Sequence, residues 1–212
     1  MDTSELAETI NQPDFVDLIR RFLQDQLSLD ANTSNSSQPL PFFNNLISVY
    51  SSSTATFYSP SDPCGTRGMC HERIRAVPVW RQSQERYDCV LVETDPDAPG
   101  MLGLDVARVR LFFSFSYRGK FYPCVLIHWF FRVGDEPDED TGMWIVEREL
   151  NADGSRRAAV LHLDTIVRAA HLIGVYGEST LPNDLSPAQS LESFQSYYVN
   201  KYIDHHSFET LF

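Results

Sequence analysis

Along residues 107–117 apolar side chains fall at every second position: Ala107, Val109, Leu111, Phe113, Phe115 and Tyr117. Arg108, Arg110, Ser114 and Ser116 stand between them, and Phe112 is the one exception. A period of two predicts a β-strand with one face in a core and the other in water. Gly119, between Arg118 and Lys120, marks a tight hairpin. The return run 121–131 is apolar on both faces except at His128. A strand covered on both sides belongs in the middle of a sheet or barrel.

Residues 1–30 follow a different period. Phe15, Leu18, Ile19, Phe22, Leu23 and Leu27 recur at helical spacing, Pro13 suits the first turn, and Asp17, Arg20, Arg21, Gln24 and Asp25 lie opposite. The pattern predicts an amphipathic helix that docks on its own β-core or on a partner. A linker rich in Asn, Ser and Pro follows, with residues 31–45 separating the helix from the rest. Strands are predicted at 46–58, 74–80, 87–93, 143–148, 159–163 and 172–176, besides the hairpin. The tetrad Ser186-Pro187-Ala188-Gln189 has the form of a capping box. Leu191, Phe194, Tyr198 and Tyr202 then mark one face of a C-terminal helix. Strands in one block without alternating helices exclude a doubly wound α/β fold. The expectation is a mainly β (α+β) protein: a small, strongly bent barrel or sandwich of seven or eight strands over 46–185, with an amphipathic helix at each end (1–30 and 186–212).

Net charge of −12 over 212 residues argues against nucleic acid, but its distribution does not. Residues 67–86 carry five arginines against two glutamates, and 107–134 carry five basic residues and no acid. Two readings follow. Arg108 and Arg110 occupy the ordinary solvated face of a strand, or Arg73, Arg75, Arg108, Arg110, Arg118 and Lys120 form a basic face for phosphate or an acidic partner. Trp80, Tyr87 and Trp144 are either core aromatics or a cage for a methylated lysine.

Catalytic signatures are sparse. No nucleophile elbow and no phosphate-binding glycine loop occurs in the sequence. Asp135, Asp140, His128 and His162 are the candidates for a hydrolytic site if one exists. His128, in the most apolar run, reads as a hydrogen-bonded core residue. Cys64, Cys70 and His71 with His205 and His206 could supply zinc ligands, but the spacing is poor, and four cysteines do not make a disulfide scaffold. The acidic run 135–140 lacks the register of a calcium loop and reads as solvated. No metal, cofactor or small-molecule substrate is indicated. No apolar run reaches bilayer length and the acidic N-terminus is unlike a signal peptide, so an intracellular protein without membrane contact is expected.

Several phrases carry a resemblance. DLIRRFLQDQL, ATFYSPSD, GMCHERIRAVPVWRQSQERYDCVLVETDPDAPG, GDEPDEDTGMW and YVNKYIDHH resemble the C-terminal region of proteins encoded by Plavaka-type, CACTA-like DNA transposons of mushroom-forming fungi. The likeness runs from about Val16 to Glu209. It implies a non-catalytic terminal module beyond a transposase core, a nuclear location, and DNA, nucleosomes, the transposase or another copy of the chain as partners. More loosely, the step from LIHWFF through TGMWIVE to LHLDTIV is similar to bromo-adjacent homology (BAH-like) barrels, which are chromatin modules.

Overall fold

The computed structural model describes residues 3–31, 39–62, 66–80, 84–176 and 190–212. The hairpin is its longest feature. Strand β6 (Leu104–Tyr117) and strand β7 (Lys120–Val133) have 14 residues each and pair antiparallel. Arg118 (φ 51°) and Gly119 (φ 80°) form the two-residue connection, both left-handed, which is the turn whose twist matches the flanking strands.

The remaining strands are β1 (Ser48–Tyr50), β2 (Ser52–Tyr58), β3 (Met69–Trp80), β4 (Gln84–Tyr87), β5 (Cys89–Glu93), β8 (Trp144–Arg148), β9 (Ala158–His162), β10 (Ile166–Ala170), β11 (Leu172–Gly174) and β12 (Ser196–Val199). They make a nearly closed antiparallel barrel-like sheet in the order β10-β5-β6-β7-β8-β12-β11. β1 adds to β6, and β9 to β7. A second sheet, β2-β3-β4, lies against the barrel. The fold is mainly β with short helices, as the periodicity predicts.

The alternation along β6 is not what the sequence suggests. The ladder pairs Val109 with Ile127 and Leu111 with Leu126, so Arg110 is an extra residue, a β-bulge. A bulge moves every later side chain to the other face. Ala107, Val109 and Phe112 therefore share one core with Ile74 and Ala76 of β3 and Val90 and Val92 of β5. Leu111, Phe113 and Phe115 share another with the N-terminal helices. Phe112, the exception in the sequence, marks the bulge. Both faces of β6 are covered, and the predicted wet face is wrong in part: Arg108 and Ser114 are each 4% exposed.

The N-terminal segment forms two helices, α1 (Thr3–Thr9) and α2 (Phe15–Ala31), broken around Asn11 (φ 52°) and Pro13. Phe15, Leu18, Ile19, Phe22 and Leu23 are buried on the β-core, with Phe15 edge-on to Phe113 at 5.2 Å and Phe22 to Tyr122 at 5.8 Å. Each such side chain contributes roughly 1.5–3 kcal/mol. The amphipathic face thus docks on its own chain.

The predicted long C-terminal helix is corrected. Helix α3 (Ser190–Ser193) has four residues, β12 follows, and α4 (His205–Leu211) ends the chain. Buried Tyr197 and Val199 alternate with half-buried Ser196 and Tyr198, a period of two hidden within the helical spacing of Leu191, Phe194, Tyr198 and Tyr202. Gly174 fixes this packing: the Phe194 ring lies 2.5 Å from where a Cβ would stand. The capping tetrad 186–189 lies outside the described residues.

Candidate functional site

Strand β3 sends Ile74 and Ala76 into the core and Arg73 and Arg75 outward. Its hairpin partner β4 sets Arg86 opposite Val77 and Tyr87 opposite Ala76. The Arg75 and Arg86 guanidiniums lie over the Trp80 ring at 4.8 and 5.3 Å. Asp88 organises both strands. Its carboxylate accepts from the Arg75 backbone N–H at 2.9 Å and from Arg86 Nε at 2.8 Å. Arg110, placed by the bulge, covers the Tyr87 ring at 4.1 Å. Burial pushes the Tyr87 phenol up, with Arg110 opposing. Beside this strip opens a cleft of about 320 Å³, bounded by Arg73, Arg86, Tyr87, His171 and Leu191.

Arg73, Arg75, Arg110, Trp80 and Tyr87 are therefore neighbours. The other proposed contacts are not. Arg108 is buried rather than wet. Arg118 and Lys120 sit at the opposite end of β6, on the order of 30 Å along the strand from Arg108. There they stack on Tyr117 and Tyr122, each at 5.3 Å. The aromatic cage does not assemble. Trp144 is 7% exposed in a different core with Arg132 over it at 5.1 Å, and the chain's own arginines cover Trp80 and Tyr87. The sequence reading missed Arg86, because the polar run around it looked like a separator; its offset from Trp80 across a short turn was the available signal.

Two charge clusters, each around a buried arginine, lie next to the cleft. In the first, Arg168 (2% exposed) makes a two-pronged bond to Asp204, at 2.8 and 2.6 Å, and approaches Glu72 at 3.5 Å. Asp204 also caps α4 by accepting from the Ser207 N–H, and Asp62 accepts from the His205 and His206 N–H groups. The Arg168 bond holds the Asp204 carboxyl below its usual range. This cluster ties α4 to β3 and β10.

In the second cluster, Arg108 bonds Glu192 Oε1, and Arg148 bonds Glu192 Oε2 at 3.1 Å. Arg156 lies close by, its Nε buried without a partner and its Nη2 donating to the Trp129 carbonyl at 3.4 Å. Burial pushes the Arg156 guanidinium down; Glu192 opposes this, and Arg148 and Arg108 add to it. Cys89, opposite Arg108 on the ladder, is a buried free thiol pushed up to about 12 by burial.

The hydrolytic candidates do not converge. His128 faces Gln12 Oε1 at 3.2 Å, and burial, then Arg110, Arg156 and Arg108, push it down to about 3. His162 turns to Asp164 at 3.3 Å and pairs with Cys124, four residues along β7 from His128. Asp135 and Asp140 lie beyond the far end of β7. Asp138 in that acidic loop closes a local turn by accepting from the Thr141 N–H and hydroxyl. Cys70 is disulfide-bonded and so is no thiolate ligand; it lies on β3 with His71, and Cys64 falls outside the described residues. No group of three or more metal-ligating side chains occurs among the described residues. No helix among them is long and apolar enough to cross a membrane.

No protein-family profile, no curated protein and no solved structure matches the chain. The likeness to transposon-encoded proteins rests on its sequence phrases alone.

Proposed function

We propose that the protein is a non-catalytic interaction module whose β3–β4 strip engages an anionic partner, DNA or the chromatin around it. The observation that carries this reading is Trp80 with Arg75 and Arg86 both stacked on its ring, beside exposed Arg73 and the cleft. Stacked guanidiniums are held in place yet keep N–H edges for phosphate, so little side-chain entropy is lost on binding. The overall charge opposes long-range approach. At physiological salt, however, charges beyond about 8 Å are screened, and the local strip decides the contact.

The test is fluorescence anisotropy with a labelled DNA duplex from low to physiological salt. Binding should fall with salt at a slope of about −3, for three or four phosphate contacts. It should be lost in the Arg73→Glu/Arg75→Glu variant. No binding at low salt, where phosphate contacts are strongest, sinks the reading.

A second reading, a docking module for the transposase or another copy of the chain, has its own support. Tyr202, Phe208 and Phe212 form an exposed run around Lys201, with Ile203 also exposed, and Phe212 is 82% accessible. A contiguous exposed apolar surface of this kind marks protein contacts. Sedimentation of wild type against Phe208→Ser/Phe212→Ser discriminates: association that disappears in the variant favours docking.

A further inference from the structure

Arg108 of β6 and Arg148 of β8 converge on one carboxylate, and Arg156, on the bridged segment after β8, lies over Phe130, the ladder partner of Arg148. Arg108 is 4% exposed, whereas the Glu192 side chain is 50% exposed. Arg108 is thus built into the barrel wall with Arg148 and Arg156 half-buried beside it, and the counter-charge reaches in from the solvent side. Among the described residues, Glu192 is the only carboxylate that pairs with Arg108 or Arg148. Arg156 pairs with none, and its buried Nε lacks any partner. Among the described residues three guanidiniums thus face one carboxylate, a surplus of two positive charges around the buried Arg108 that a further anion would offset.

We infer that Arg108, Arg148 and Arg156 form a site for a phosphoryl group, with the Glu192 carboxylate standing in for it in the unliganded chain. With Glu192 swung away the three guanidiniums carry three positive charges, of which a dianionic phosphoryl group offsets two and a single carboxylate only one. Guanidinium forks suit its oxygens, and the free Arg156 Nε–H supplies an unused donor. Because Glu192 approaches from solvent, exchange needs only its side chain to swing away. Arg108 meets the β3–β4 strip at Tyr87, over whose ring it lies at 5.7 Å, but the inference does not rest on the strip's contact with DNA.

The probes are inorganic phosphate and phenyl phosphate, each against sodium chloride at matched ionic strength. In Glu192→Gln, either probe at ten times its dissociation constant should raise Tm by roughly 3 °C more than chloride, and wild type should gain less. The gain should vanish in Glu192→Gln/Arg156→Met. A response to inorganic phosphate alone identifies a free-ion site; a response to both identifies one open to phosphate esters. A second readout does not depend on how the variant folds. In wild type, the Arg156 Nε–H resonance, assigned by its loss in Arg156→Met, should shift with phosphate and not with chloride. No selective Tm gain together with an unmoved resonance overturns the site, as does a gain that survives loss of Arg156.

Discussion

Arg168 and Arg108 are both buried arginines beside the same cleft, yet their surroundings differ in charge balance. Arg168 has Asp204 in a two-pronged bond and Glu72 at 3.5 Å, although its Nε, like that of Arg156, is buried without a partner. Arg108 shares one half-exposed carboxylate with Arg148, beside an Arg156 that has none. Burial of a guanidinium is tolerable where acids surround it, and the first cluster meets that condition. The second is short of negative charge. A charge-balanced network reads as a staple, while one short of acid reads as a place for something to bind.

The same substitution at the two clusters gives the largest contrast. Arg168→Met strands Asp204 and Glu72 and loosens the tie between α4 and the sheet. Breaking a buried pair from one side costs about 3 kcal/mol. A fall in the urea midpoint of matching size is expected, with the slope unchanged; a change under 1 kcal/mol would show that the cluster is not a staple.

Acid tests the second cluster next. His128 pairs across the ladder with Arg108 and is pushed down to about 3, mainly by burial. In the unfolded chain it takes up a proton near pH 6.5, which the folded chain refuses until about pH 3. Its contribution to stability is therefore complete above pH 6.5 and is lost as pH falls from there towards 3. Between pH 6.5 and 4.5 the loss amounts to about 2–3 kcal/mol. His206, also lowered by burial, acts in the same direction. Asp204, whose pKa the Arg168 bond lowers, adds its loss only at more acid pH. Chemical denaturation across this window should show the decline, and His128→Gln should flatten it. An equal slope in the variant assigns the decline to other groups.

A smaller effect of opposite sign is expected at Arg156. Replacing it with Met removes a buried, unpartnered donor and one surplus charge, together with the guanidinium over Phe130 and its long bond to the Trp129 carbonyl. Thermal unfolding should show stability unchanged or raised by about 1 kcal/mol. A loss comparable to that of Arg168→Met would mean that the two clusters are alike.

The sequence carried the hairpin, its turn and the docking of α2, because each depends on local periodicity. It did not carry the burial of Arg108, which Glu192 covers from a segment distant in sequence, nor the faces of the residues beyond the bulge. One extra residue at Arg110 inverts the face of everything after it, and Phe112 was its only trace. Nor did it carry the C-terminal strand, since Tyr197 and Val199 are buried by pairing with β8 and β11, which are distant in sequence. The strip around Trp80 was half legible. Arg73, Arg75 and Tyr87 stand out by type, whereas their meeting with Arg110 depends on how β3–β4 lies over β6.

Arg73 gives the smallest expected effect on stability and the cleanest separation of roles. Its side chain is exposed on β3 at the mouth of the cleft, with Thr54 opposite on the ladder. Surface substitutions away from buried networks usually stay within about 0.5 kcal/mol, so Arg73→Ala should unfold as wild type does. If the strip contacts phosphate, the same variant should weaken DNA binding at every salt concentration and reduce the salt slope by about 1. It should leave the phosphate response of the Arg156 resonance untouched, because that response belongs to the inner cluster. Unchanged DNA affinity in Arg73→Ala would remove this arginine from the contact, and a changed phosphate response would show that the two regions, which touch where Arg108 meets Tyr87, act as one.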